Sequence, residues 1–253
     1  MTLTAGVILI GDELLSGRVE DKNLPYIAKA LAKRGIELKE CRIIADDEDI
    51  IAQTAKTFSD DYTYVFTTGG IGPTHDDITV KSIAKAFGVD VYRDEGTVEL
   101  FKQHFGDRAT EATYRMCDFP VGAELLENSV SVAPGFRLGN VFVMAGIPRI
   151  MQTMFDTALS QLKEGAPIQE VSFTAHTSEG QIGTPLGVLQ GRFPQVKIGS
   201  YPFLKDGKPT VSLVARCAET EPLHEVIQAL ETLLLDVNAE ILDRPDGDYW
   251  PQV

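Results

Sequence analysis

Across residues 1–165, short apolar runs alternate with segments whose apolar residues recur at helical spacing. Runs such as 5–10 and 62–67 are too short for a helix and too uniformly apolar for an exposed strand. Each predicts a strand buried on both faces. Ile36–Ile44 and residues 140–144 read as further strands. Between them, Leu24, Ile27, Ala28 and Leu31 mark a helix with Asp21 or Asn23 as N-cap and Gly35 past its end. Ile50, Ile51, Thr54 and Phe58 mark a second, opened by the acidic run 46–49, which suits the positive end of a helix. Val80, Ile83, Ala84 and Phe87 mark a third, from about Asp77 to a stop at Gly88. A less regular helical stretch is expected over 94–116, and Pro148 opens a long amphipathic helix reaching Leu162. Such a succession builds an α/β fold of three layers, a mostly parallel sheet with helices on both faces.

Composition shifts at Gly165-Ala166-Pro167, which marks a linker between 1–165 and a small α+β domain over 166–253. There a strand at 170–177 precedes a helix opened by a Ser178/Gln181 capping box. Strands at 196–201 and 210–216 are joined by a turn at 205–208, and a last helix spans about 222–237. The polar tail 243–253, with Trp250, is expected to fray or to pack on a neighbouring surface.

Charge narrows the choice of partner. Twenty-three Lys and Arg against 37 Asp and Glu leave the chain at −14, a surface that repels nucleic-acid phosphates and anionic lipid. Neither is an expected partner. An anionic small molecule needs a local cradle of backbone N–H groups or a divalent cation. No apolar run approaches the roughly 18 residues of a membrane span, and no basic segment precedes the first one. The chain is therefore expected to be cytoplasmic. Cys41, Cys117 and Cys217 are odd in number and far apart, which suits buried thiols rather than disulfides or a zinc site.

The most informative stretch is Thr67-Thr68-Gly69-Gly70-Ile71-Gly72-Pro73-Thr74-His75-Asp76-Asp77-Ile78-Thr79. It follows a buried strand and precedes a helix, so it lies at the carboxyl edge of the sheet, where α/β proteins bind ligands. Gly69, Gly70 and Gly72 let backbone N–H groups approach an anion, and Thr68 and Thr74 can add hydroxyl donors. A plain turn with Asp76 or Asp77 as N-cap is the simpler reading, but it does not require three glycines and two acids together. The loop is neither a Walker A sequence nor a Gly-x-Gly-x-x-Gly fingerprint. No Lys or Arg lies between Tyr62 and Val80, so the backbone is the expected anion anchor.

Acids recur at the other strand ends: Asp12-Glu13 after the first, and Asp46-Asp47-Glu48 after the second. With Asp76-Asp77 they could hold a divalent metal against a pyrophosphate, Glu13 and Asp76 being the candidate ligands. Taken singly, each is better read as a helix cap; capping accounts less well for the set. His75 is open to two readings, a ligand contact or a solvent-facing side chain. Ser16 lacks the Gly-x-Ser-x-Gly elbow of a hydrolase nucleophile.

The loop resembles the signature of the molybdopterin-binding (MoaB/Mog) fold family, in the branch of the competence/damage-inducible protein CinA and the molybdopterin-binding-like domain of FAD synthase. Gly11-Asp12-Glu13-Leu14-Leu15-Ser16-Gly17, Asp21-Lys22-Asn23, Ser131-Val132-Ala133-Pro134-Gly135-Phe136 and Met144-Ala145-Gly146-Ile147-Pro148 match in order, over about residues 5–162. Ile198-Gly199-Ser200-Tyr201-Pro202 resembles the small domain that follows in the CinA branch. The resemblance implies a phosphate- and pterin-binding loop at Gly69, Gly70, Gly72 and Thr74, next to Thr68. It implies catalytic roles for Asp77 and Asp47, the acids that participate in adenylylating molybdopterin in the cofactor-assembly branch. Pro134-Gly135 and Gly146-x-Pro148 resemble the loops that complete the pocket. Two departures stand out: Met144-Ala145 where Leu-Pro is usual, and Ile150 where a glutamate is common.

By this resemblance the chain is expected to be a metal-dependent hydrolase, using Mg, Mn or Co, that acts on a nucleotide pyrophosphate such as ADP-ribose or FAD. The alternatives are a protein that binds molybdopterin or a nucleotide without turnover, and a molybdopterin adenylyltransferase. Over these 253 residues neither the deamidase domain of full CinA nor the adenylyl-transferring domain of FAD synthase is expected. The family commonly forms dimers or trimers. An apolar stripe from Ile150 and Met151 to Leu162 supports the expectation of a homo-oligomer.

Overall fold

The computed structural model describes residues 3–245, and the chain divides into two units at Gly165/Ala166, where the composition shifts. Trp250 and the tail beyond Pro245 lie outside the described residues.

The first unit runs β1 (Leu3–Ile10), α1 (Asp12–Leu15), α2 (Asn23–Lys33), β2 (Ile36–Ile44), α3 (Glu48–Asp61), β3 (Tyr64–Thr68) and α4 (Thr79–Phe87). Then come β4 (Val91–Arg93), α5 (Glu95–Phe105), α6 (Glu111–Tyr114), a 3-10 turn at Arg115–Cys117 and β5 (Asp118–Pro120). β6 (Glu124–Leu126), β7 (Gly135–Leu138), β8 (Val141–Met144) and α7 (Pro148–Leu159) complete it. The main sheet has the order β2-β1-β3-β8-β7-β6. β1 is parallel to both β2 and β3, and β3 is parallel to β8, so the expected parallel sheet forms its centre. Two antiparallel strands, β7 and β6, extend one side. They are short and lie in a stretch rich in Gly and Pro, without enough alternation to read as strands. β4 and β5 form a separate antiparallel pair.

Helices cover both faces. On one, Ile27 and Leu31 of α2 and Met151, Met154 and Phe155 of α7 bury Phe66 and Phe142 of the sheet. On the other, Ile51, Ala55 and Phe58 of α3 and Ile83 of α4 bury Ile8, Val65 and Val143. The apolar stripe of α7 is thus spent on its own sheet: Met151, Met154, Phe155 and Ala158 are fully buried within the chain. That removes the stripe as an argument for a partner subunit. Cys117 and Cys217 are buried and Cys41 is half-buried, all as free thiols. Desolvation pushes Cys41 and Cys117 up to about 11.

The second unit runs β9 (Gln169–His176), α8 (Glu179–Arg192), β10 (Lys197–Lys205), β11 (Lys208–Cys217), α9 (Thr220–Asp236) and β12 (Glu240–Asp243). Its antiparallel sheet has the order β10-β11-β9-β12. The Ser178/Gln181 capping box is present. The β10–β11 turn places Asp206 and Gly207 at φ 53° and 72°, the left-handed pair a two-residue hairpin turn requires. Asp243, the first residue of the expected frayed tail, instead pairs with Thr174 of β9.

Candidate functional site

The strand order places a topological switch point between β1 and β3. From β1 the chain crosses to β2 on one side, then returns to β3 on the other. Loops leaving the carboxyl ends of β1 and β3 must diverge there, which opens a crevice. Gly11-Asp12-Glu13 and the glycine loop occupy that point. They pack closely, because a Cβ on Gly69 would run into the carbonyl oxygen of Ile10. The third wall is the turn after β8, where an added Cβ on Gly146 would lie 3.4 Å from the Gly69 Cα. β7 enters opposite the end of β8, so Pro134-Gly135 reaches the same edge. Gly135 itself is buried, and a side chain there would press on the Val143 carbonyl at 2.5 Å, so close strand pairing explains that glycine. Pro148 takes the first helical position of α7.

Within the loop, Gly69 and Gly70 have φ of 105° and 68°, a conformation that only glycine adopts without strain. The loop is laced to α4. Thr79 donates its N–H to the Gly70 carbonyl at 2.9 Å and its hydroxyl to the Gly69 carbonyl at 3.0 Å. The helix starts at Thr79 rather than Asp77, and its N-cap, Ile78, provides no side-chain cap. Asp76 and Asp77 are therefore not capping α4. Asp77 turns back instead: its Oδ2 accepts the Thr74 N–H at 2.8 Å and the Thr74 hydroxyl at 2.6 Å, and it lies 2.7 Å from where a Gly72 Cβ would be. The Thr74 hydroxyl is also 2.5 Å from Asp76 Oδ1, and this hydrogen bond holds the Asp76 carboxyl below its usual range. His75 is 94% exposed and makes no contact closer than 3.7 Å to Asp76, so the solvent-facing reading fits it.

Asp47, expected in a catalytic role, is the N-cap of α3. Its Oδ1 accepts the N–H groups of Asp49 at 2.9 Å and Ile50 at 3.0 Å. The acid of that turn that faces the crevice is its neighbour, Asp46, whose Oδ2 accepts the Asp12 N–H at 3.0 Å. Desolvation raises the Asp46 carboxyl above its usual range, and the charges of Asp12, Glu13 and Asp76 add to the shift. Carboxylates from three strand ends thus sense one another at the rim.

Two further residues complete the picture. Asn23, at the start of α2, is 5% exposed and donates its side-chain amide to the Gly146 carbonyl at 2.9 Å, with a longer 3.4 Å contact to the Thr68 hydroxyl. It clamps the end of β3 to the turn after β8, while its own carbonyl oxygen is buried without a partner. Asp21 caps the same turn, accepting from Asn23 N–H and Leu24 N–H at 3.1 and 2.9 Å. Arg115, in the 3-10 turn after α6, reaches the loop and donates Nη2 to the Pro73 carbonyl at 2.6 Å. Asn23 lay in a matched motif but read as a cap. Nothing in the irregular 94–116 stretch marks Arg115.

With this geometry in hand, comparison with known proteins is direct. Residues 6–164 match the family model described as "Probable molybdopterin binding domain", and residues 156–240 match "FAD synthase, middle domain". The chain belongs to the molybdopterin-binding domain family, and it is CinA-like within it. It is 33% identical over 230 residues to a protein of Archaeoglobus fulgidus, covering 91% of this chain and 97% of that one. It is 31% identical over 258 residues to a "Probable FAD synthase" of Caenorhabditis elegans, covering 91% of this chain but only 50% of that protein. A solved structure of CinA from Thermoplasma acidophilum, a protein of unknown function, superposes with a TM-score of 0.59 and 29% identity. It covers 63% of this chain and 99% of that one.

Proposed function

We propose that the crevice between the glycine loop and Asp46 binds a nucleotide pyrophosphate of the ADP-ribose or FAD type and hydrolyses it. The observation that carries this reading is the meeting, at one switch point, of a left-handed Gly69-Gly70 backbone with a carboxylate, Asp46, raised by burial and by three neighbouring acids. A bare backbone next to crowded carboxylates favours a ligand that brings phosphate together with a cation. Water adds to one phosphorus, the bridging P–O bond breaks, and the second phosphate leaves with the electron pair. The products are AMP and a second phosphomonoester, with two protons released to solvent when both are dianions.

A divalent ion, when bound, would neutralise the pyrophosphate and activate the water. Among the described residues, no three His, Cys, Asp or Glu side chains approach closely enough to hold a metal by themselves. Asp46 with Glu13 or Asp76 would therefore share the ion with phosphate oxygens and water, the usual mode of magnesium. The protein's own part is to shape the loop, through Thr79 and Asp77, and to keep the three walls together, through Asn23.

Binding without turnover is a second reading. It is favoured by Ile150, which packs against the core, and by the engagement of Asp47 and Asp77 in local hydrogen bonds. Adenylylation of molybdopterin ranks third. Incubation with ADP-ribose and with FAD, each with magnesium, manganese or cobalt, tests the hydrolase reading by AMP release. Release that is lost in Asp77→Ala supports it. No release with any metal, combined with a pterin or nucleotide retained in native mass spectrometry, establishes the second reading instead.

A further inference from the structure

We propose that Arg115 is the cation that holds the ligand's anionic group over the glycine loop. This rests on the reading of the crevice as a pyrophosphate site. The loop has no Lys or Arg of its own between Tyr62 and Val80. The two lysines that follow are already engaged: Lys81 pairs with Glu48 at 2.9 Å, and Lys85 with Glu48 at 3.1 Å and Asp49 at 2.6 Å. Arg115 comes from a distant part of the chain and is placed there by structure alone.

Its position is fixed at both ends. Cys117, two residues on, is buried, and its carbonyl accepts the Asp94 N–H at 2.8 Å. At the other end, Nη2 is hydrogen-bonded to the Pro73 carbonyl at 2.6 Å, at the apex of the loop. A guanidinium has five N–H donors in one plane, and this contact uses one. Among the described residues, Arg115 is in no ion pair, although Asp76 and Asp77 lie on the very loop it touches. An exposed guanidinium, tethered at one edge and unneutralised, suits bidentate capture of phosphate oxygens. In a chain of charge −14 such a local positive group also overcomes the general repulsion of an anionic ligand.

Steady-state hydrolysis of ADP-ribose by the wild type, Arg115→Gln and Arg115→Lys tests this. Glutamine removes the charge and, two bonds shorter, also gives up the Pro73 carbonyl, so the salt dependence of KM, which a lost tether alone does not move, separates the two roles. We expect kcat/KM to fall roughly ten- to hundred-fold in Arg115→Gln, mainly through a higher KM, as for loss of a charge-assisted bond. Arg115→Lys should recover part of the loss. Added salt should raise the wild-type KM more than that of Arg115→Gln. An unchanged kcat/KM in Arg115→Gln, or a loss confined to kcat, overturns the assignment and leaves the pyrophosphatase reading standing. A wild type that turns over nothing overturns that reading, and this proposal with it.

Discussion

One oxygen of Asp77 accepts the Thr74 N–H at 2.8 Å and lies 2.6 Å from the Thr74 hydroxyl, which it shares with Asp76. The donors expected to meet a phosphate are thus turned on the chain's own carboxylate, which occupies the inside of the loop beside Gly72. A phosphate bound as proposed above would have to displace this carboxylate or lie to one side of it. Thr74→Val removes the hydroxyl and keeps the N–H. Loss of one such bond at the surface should cost about 0.5–1.5 kcal/mol. A melting curve should show a decrease of about 1–6 °C.

Gly70 and Gly88 offer a matched pair. Both are left-handed, at φ 68° and 65°. A Cβ at Gly88 meets open space, whereas one at Gly70 meets the Thr79 hydroxyl. Gly88→Ala should cost about 1–2 kcal/mol from backbone strain alone. Gly70→Ala should cost more and should also disturb the loop, so chemical denaturation must show the larger loss at Gly70. Equal losses would mean that Thr79 yields freely.

Asp46 gives the pH dependence a definite sign. Its folded-state pKa is raised, chiefly by desolvation and then by Asp12, Glu13 and Asp76. At pH values below the ordinary carboxylate range it is protonated in both the folded and unfolded states and costs nothing. As pH rises through that range the unfolded chain ionises first, and stability is lost. Asp46→Asn should therefore stabilise the protein at pH 7 and lose that advantage near pH 3, when denaturant midpoints are compared. A variant less stable than the wild type at pH 7 would contradict this.

Asn23 is a clamp whose chemistry can be inverted. Asn23→Ala loses the 2.9 Å bond to the Gly146 carbonyl and should cost about 1–3 kcal/mol. Asn23→Asp keeps the shape but sets a buried charge against that carbonyl, and should cost more at neutral pH. Protonation restores an O–H donor, so the penalty of Asn23→Asp should shrink as pH falls, while that of Asn23→Ala stays level. Thermal melts of both variants across pH 4–8 distinguish the two.

The sequence was most legible where apolar periodicity is strong. The parallel centre of the sheet, α2, α3 and α7, and the hairpin at Asp206-Gly207 follow from spacing and turn chemistry. β6 and β7 do not, since strands of three or four residues carry no measurable period. The glycine loop stood out because its glycines exceed what a turn needs: Gly69 and Gly70 are left-handed, whereas Gly72 makes room for the Asp77 carboxylate. Side-chain targets were harder to read. Asp47 matched the motif, yet it caps α3, while Asp46 one place earlier faces the crevice, because a helix start turns adjacent side chains in different directions. Asn23 and Arg115 act across long sequence separations, on Gly146 and Pro73, and no local pattern encodes such a contact.

The proposed cleavage of a pyrophosphate in the crevice at Gly69–Gly70 and Asp46 can be followed by phosphorus NMR of ADP-ribose, after incubation with the protein and magnesium, manganese or cobalt and removal of the metal by chelation. We expect the pyrophosphate resonances to be replaced by two phosphomonoester signals, from AMP and ribose 5-phosphate, and this conversion to be abolished in Asp46→Ala. Pyrophosphate resonances that persist with all three metals, or conversion that proceeds undiminished in Asp46→Ala, would contradict the account.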